Sequence, residues 1–349
     1  MSYTNGLDNP ELYFQTKLYT GNGGTQSITF DGSENMQPDW VWIKARNATR
    51  NSRLTDSING VQKNLFSDLT NALTTNYDGV TAFGTNGFSV GSGNGFNGNS
   101  ETHVAWNWKA SGTSISNSSG SNGATLASAG IKNDTAGISI VTYTGDGNAR
   151  TVFHGLSSCD MVIHKCLNNA ENWGVQHKDI GAAYQLQLDT TIAKVDKSGN
   201  GSMALPAANV FSVNNSGQWG AARNYIAYAF RSVKSYSKIG SYTGNSNVNG
   251  TYVHLGFKPA FLMVKRTDAT YRWTISTNKI LGYNRIINQI AANSNAAENT
   301  SASYGEFDFT ANGFKCRSAE DGMNVGNIIY MAFAESPFTN SSGVPNNAR

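Results

Sequence analysis

Apolar positions in this chain fall into short runs of strand length, and the same runs return in the same order three times. Each copy opens on a Tyr-Thr-Gly cluster, at Tyr19-Thr20-Gly21, Tyr143-Thr144-Gly145 and Tyr242-Thr243-Gly244. An apolar run ending in lysine follows: Trp40-Val41-Trp42-Ile43-Lys44, Met161-Val162-Ile163-His164-Lys165 and Phe261-Leu262-Met263-Val264-Lys265. Both alternating faces of these runs are apolar up to the lysine, which predicts a strand covered on both sides. Next comes a Phe-centred strand, with Phe88, Phe211 and Phe314 at its middle. Each copy closes on a run that sets bulky residues against small ones, as in Val104-Ala105-Trp106-Asn107-Trp108, Ile226-Ala227-Tyr228-Ala229-Phe230 and Met331-Ala332-Phe333-Ala334. Alternation puts the bulky side chains on one face, to fill a core, and the small ones on the other, where something can approach closely.

A period of about 100 residues is domain-sized and too long for a solenoid repeat. The expected organisation is an N-terminal arm over 1–16, repeats over 17–110, 137–235 and 238–338, and a polar tail over 339–349. Segment 111–136 is rich in Ser, Gly, Asn and Thr and reads as a linker, whereas the short join near Val233 to Lys238 implies that the second and third repeats share an interface. The fold class expected is all-β: three tandem β-sandwich units, jelly-roll or concanavalin-like. Gly181 to Leu188 and Leu281 to Ala292 mix helical and alternating spacing, so periodicity leaves them open. Eight residues past the lysine, Trp173 and Trp273 hold one station where the first repeat has Ser52, which marks the indole as a core anchor.

Composition changes the picture in one respect. Charged residues are 14% of the chain, well below the usual quarter, so hydroxyl and amide side chains must cover much of the surface. A net charge of +3 without a dense Lys/Arg block leaves no electrostatic footprint for nucleic acid. Cys159, Cys166 and Cys316 cannot all pair within the chain and read as reduced thiols. The start, Met1-Ser2-Tyr3-Thr4-Asn5, has neither a basic n-region nor an apolar h-region, so neither a signal peptide nor membrane insertion is expected.

The chemistry-bearing residues do not form a catalytic pattern. His103, His154, His164, His177 and His254 lack metal-ligand spacing, and neither an HExxH motif nor a GxSxG elbow occurs. No acidic residue recurs at one station in all three copies; Asp39 and Asp160 match, but the third copy has Ala260. The expectation is a non-enzyme with no cofactor and no metal. Abundant Asn, Ser, Thr, Gly and Tyr supply groups suited to a glycan, and tandem copies would multiply weak contacts. For such a ligand the candidate contacts are loop aromatics expected to be exposed, Tyr77 and Trp219.

Several motifs in order carry a resemblance. Tyr-Thr-Gly-Asn-Gly at 19–23, Gln-Pro-Asp-Trp-Val-Trp-Ile-Lys at 37–44, Asn-Gly-Phe-Ser-Val-Gly at 86–91 and Val-Ala-Trp-Asn-Trp-Lys-Ala at 104–110 resemble a family of tailed-bacteriophage virion proteins. These proteins are common in marine phages and usually described as structural or tail-fibre-like. The ending from Tyr330 to Phe338, followed by Gly343-Val344-Pro345, is similar to that family's C-terminus. The second repeat departs from the pattern, with Ser158-Cys159-Asp160 where the first has Gln37-Pro38-Asp39. The resemblance implies a component of the particle exterior, assembled in the host bacterial cytoplasm. A tail-fibre or appendage protein involved in host attachment is the first expectation, a capsid decoration or cement protein the second, and a polysaccharide depolymerase the third. Its implied partners are other virion proteins of tail or capsid and further copies of itself, with a trimer as the expected assembly.

Overall fold

The computed structural model describes residues 6–200, 204–302 and 305–347. Each repeat forms an antiparallel large sheet in which the closing strand lies between the opening strand and the lysine strand. In the first repeat these are Thr102–Trp108 between Phe14–Thr20 and Trp40–Ala45. The second uses Asn224–Phe230 between Ile138–Thr144 and Met161–Cys166, and the third Val325–Pro337 between Ser237–Asn245 and Phe257–Arg266. A smaller antiparallel sheet containing the Phe strand accompanies each: Gly87–Val90, Val210–Val213 or Gly313–Cys316. The chain is therefore all-β, with two sheet layers per repeat enclosing an outer core, as the alternating pattern requires.

The two faces of the closing strand go to different cores. Ala105 joins the outer core of the first unit, Ala227 and Ala229 that of the second, and Ala332 and Ala334 that of the third. The bulky residues Trp106, Trp108, Tyr228, Phe230, Met331 and Phe333 all enter one further core that the three units share. Aromatic rings from different repeats meet there. Trp40 stacks on Tyr228 with centroids 4.5 Å apart, Trp108 meets Phe261 edge-on at 5.7 Å, and Phe14 stacks on Phe333 at 5.1 Å. The lysine strands divide likewise, with Trp40, Trp42, Met161, Ile163, Phe261 and Met263 inward and Val41, Ile43, Val162, Leu262 and Val264 outward. Burial on both faces accounts for their unbroken apolar character.

One boundary expectation needs correction. Segment 111–136 is not a linker: Thr113–Asn117 pairs with Ser128–Asn133, which pairs with Ile138–Thr144, so the hairpin extends the second unit's large sheet. Its composition misleads because an edge hairpin buries few side chains; Ile115 and Leu126 enter the outer core while Ser114 and Ser116 stay exposed. The interface expected between the second and third repeats lies in a core to which the first repeat also contributes. Of the two ambiguous segments, the first contains a turn and a short strand, Tyr184–Gln185, with Leu186 bridging Val175; the second contains the end of a one-turn helix, Asn278–Leu281, and a short strand, Ile290–Ala291.

The first and last described segments fold back onto this body. Leu7 N donates to Lys234 O at 3.1 Å, between the second and third units, and Leu7 and Tyr13 pack against the shared core. Ser341 N donates to Asp8 Oδ1 at 2.9 Å, which ties the tail to the arm. Residues 1–5 of the arm and 348–349 of the tail lie outside the described residues.

Candidate functional site

The recurrent lysine is the residue by which one unit holds the next. Lys44, Lys165 and Lys265 are fully buried, and a buried ammonium, with donors only, must be surrounded by acceptors. Lys165 Nζ donates to Glu171 O at 2.6 Å within its own unit and to Thr70 O, in the first unit, at 2.8 Å. Lys265 Nζ donates to Arg266 O at 2.7 Å and to Thr191 O, in the second unit, at 3.2 Å. Lys44 Nζ donates to Arg50 O at 2.7 Å, Ala45 O at 3.3 Å and Asn295 O, in the third unit, at 3.1 Å. The second unit thus holds the first, the third holds the second, and the first holds the third. That is a closed ring, related by an approximate threefold.

Main-chain bonds repeat the same joint. Glu171 N reaches Thr70 O at 3.0 Å, Tyr271 N reaches Thr191 O at 2.8 Å, and Arg50 N reaches Asn295 O at 2.9 Å. The accepting loop is shaped by a side-chain oxygen two residues earlier. Asp68 Oδ1 accepts from Ser52 N at 3.1 Å, Asp189 Oδ1 from Trp173 N at 3.0 Å, and Asn293 Oδ1 from Trp273 N at 2.9 Å. The paired indoles also cross the joints: Trp173 Nε1 donates to Phe66 O at 2.7 Å and Trp273 Nε1 to Gln187 O at 2.8 Å. Ser52 is too short for that reach, and the third joint is crossed instead by Ser67 Oγ, which donates to Ala292 O at 2.6 Å.

Electrostatics follow from this burial. Desolvation pulls Lys44 and Lys165 down to about 8 and Lys265 to about 7, and burial pushes Asp68 up to about 6. In the centre, Tyr228 of the second unit donates to Asp56 Oδ2 of the first at 2.8 Å, and burial raises both groups. Asp39, matched in sequence to Asp160, accepts from Ala110 N at 2.8 Å and Ser111 N at 2.6 Å; Asp160 accepts from Ser232 N at 2.6 Å. Both carboxylates fasten the chain just after its closing strand.

The remaining titratable groups are dispersed. His103, His154, His164 and His177 are buried; desolvation lowers the first, second and last to about 4 and His164 well below its usual value. Cys159, Cys166 and Cys316 are buried free thiols, and burial pushes Cys159 and Cys316 up to about 12. Among the described residues no group of three or more His, Cys, Asp or Glu could hold a metal ion.

Of the two loop aromatics proposed as ligand contacts, Tyr77 is 76% exposed at a turn of the first unit. Trp219 is not exposed and the expectation for it is corrected: it lies fully buried in the second unit's outer core, packed against His164, with Nε1 donating to Gln185 Oε1. The Gly-rich turns around it, Gly217 and Gly220, make the segment read as a loop, yet Tyr143 and Tyr225 donate to Trp219 O and Gly217 O, both at 2.8 Å, and fasten it inward. The two candidates therefore sit in different units. The lysine joints were missed at the sequence level, although the recurrence of lysine after an apolar run was their visible signal.

A family profile described as a domain of unknown function (DUF7483) matches residues 9–337. No curated protein and no solved structure matches the chain.

Proposed function

The chain belongs to the DUF7483 family, whose description assigns no role, and we propose that it is a structural protein of the exterior of a tailed-bacteriophage particle, an appendage or tail-fibre component that meets the host surface through its loops. The observation that carries this reading is the closed ring of lysine joints. The lysine that recurs in every repeat is used to bind the repeats to one another, and the hydroxyl and amide loops where the copies differ are left to the outside. One shared core and buried joints tie the three units together while the three cysteines stay free thiols, as suits a protein assembled in a reducing cytoplasm. Its partners would be other virion proteins, further copies of itself and a glycan of the host surface.

The approximate threefold favours a second role, capsid decoration. One chain supplies three like faces around an axis, so a single copy suits a local threefold position of a lattice, where a simpler protein would need three copies. Particle imaging separates the two. Cryo-EM of purified particles, with copy number from quantitative mass spectrometry, is expected to find the protein on the tail at tens of copies or fewer. Hundreds of copies on the head lattice would establish decoration instead. Absence from purified particles would remove both readings.

A further inference from the structure

The three joints differ on their outer side. The residue two past the lysine is Arg46, Leu167 or Thr267, and it donates its main-chain N–H to Thr102, Asn224 or Asn327 at the start of the closing strand. In the first unit this station is charged: Arg46 Nε lies 2.5 Å from Glu298 Oε2 of the third unit. In the third unit a cavity of about 420 Å³ opens beside Thr267 and Asn327, with Asp179 and Lys194 of the second unit in its wall. In the second unit the equivalent cavity is an open groove of about 580 Å³ beside Leu167 and Asn224, and none of the residues lining it is ionised at neutral pH.

The groove owes its size to the hairpin Thr113–Asn117 and Ser128–Asn133, which has no counterpart in the other repeats. The hairpin widens the same sheet, so that Ser116, Ser118 and Ala129 line the groove beside Thr142, Thr144 and Asn224. Ser116, Ser118, Thr144 and Asn224 are exposed. The Thr144 hydroxyl donates to Asn224 Oδ1 at 3.0 Å, which orders this amide at the edge of the groove. Tyr143 and Tyr225 stack beneath with centroids 5.1 Å apart and hold this end of the sheet rigid. Leu167 and Ala129 set apolar patches between the polar groups.

We propose that this groove binds an uncharged saccharide segment. The volume lies within the roughly 300–1,000 Å³ of small-ligand sites. A saccharide offers hydroxyls separated by C–H surface, which matches hydroxyl and amide groups separated by Leu167 and Ala129. The absence of a charged lining residue disfavours sialylated or phosphorylated sugars, whose charge would lose hydration without gaining a partner. The open ends suit an internal stretch of a longer chain. This assignment rests on the appendage reading for its biological setting, and names the ligand class that such an appendage would meet.

The test uses the full chain and a panel of neutral hexose and N-acetylhexosamine oligosaccharides, with sialylated and phosphorylated ones as charged controls. Binding is expected to a neutral member. Ala129→Trp, at an exposed position on the groove wall, should weaken it about tenfold or more without lowering the melting temperature. Asn224→Asp, which replaces the amide donors by a charge, should weaken it too. Failure of every neutral oligosaccharide to bind, preference for the charged controls, or unchanged binding by Ala129→Trp would each overturn the assignment. Particle imaging remains a separate readout: a protein mapped to the tail whose groove binds nothing neutral loses this inference alone. A protein absent from particles that still binds neutral oligosaccharide loses the appendage reading alone.

Discussion

Lys165 Nζ lies 2.8 Å from the carbonyl oxygen of Thr70, a residue 95 positions earlier and in a different repeat. The same relation joins Lys265 to Thr191 and Lys44 to Asn295, and the last of these spans 251 positions and closes the ring. Local sequence similarity among the repeats is thus the imprint of a long-range arrangement.

Removing one of these ammonium groups should loosen the whole body. Lys165→Met keeps the length and apolar stem of the side chain but leaves Thr70 O without its lysine donor and Glu171 O likewise. A loss of about 2–4 kcal/mol is expected, because Glu171 O loses its lysine donor and Thr70 O keeps only its bond from Glu171 N, offset by the removed desolvation of the charge. Urea unfolding measures it; a change below about 0.5 kcal/mol would show that the joint contributes little.

Stability should rise with pH between about 7 and 9. The folded-state values of Lys44, Lys165 and Lys265, about 8, 8 and 7, lie below the ordinary lysine value of 10.5. Across this window the unfolded chain binds more protons than the folded one, so unfolding free energy increases with pH, by up to about 1.4 kcal/mol per pH unit for each lysine above its folded-state value. Higher up the sign turns: burial raises Cys159, Cys316 and Tyr330 to about 12, so these groups ionise first in the unfolded chain and stability falls. Denaturant midpoints from pH 7 to 11 should therefore pass through a maximum, and Lys265→Met should flatten the rising limb.

Trp219→Ala should act on stability. Its indole is fully buried in the second unit's outer core, and truncation there is expected to cost about 3–5 kcal/mol. Tyr77→Ala, at a side chain 76% exposed, should stay within about 0.5 kcal/mol of the parent. Thermal or urea unfolding of the two variants would reverse this assignment if Tyr77→Ala proved the more destabilised.

The inter-unit indole bonds should be separable from indole packing. Trp173→Phe retains a large ring in the shared core but removes the donor to Phe66 O, and about 1–2 kcal/mol of destabilisation should follow. A matching loss in Trp273→Phe, at the bond to Gln187 O, would confirm that the two joints are equivalent. Denaturant unfolding of the pair, with no loss in either, would remove the bond from the account.

What the sequence disclosed, and what it hid, divides along a physical line. Strand positions and faces were legible because a side chain's polarity records which surface it meets: Trp106 and Ala105 point to different cores and differ accordingly. The lysine joint was half legible. Lys44, Lys165 and Lys265 recur, but their partners are carbonyl oxygens of Asn295, Thr70 and Thr191, and a carbonyl belongs to every residue alike. The hairpin of 113–133 was hidden because a strand with one wet face needs few apolar residues, and Ile115 alone is buried by its side chain's hydrophobicity in Thr113–Asn117. Trp219 was misplaced because the glycines around it mark a turn without saying which side of the turn is covered.

The central claim is that the three repeats form one cooperative body around a shared core. Differential scanning calorimetry of the full chain tests it most directly, by comparing the calorimetric enthalpy of unfolding with the van't Hoff enthalpy. The account predicts a single transition in which the two agree, shifted as a whole by Lys165→Met. Separable transitions, with Lys165→Met displacing only one of them, would contradict it.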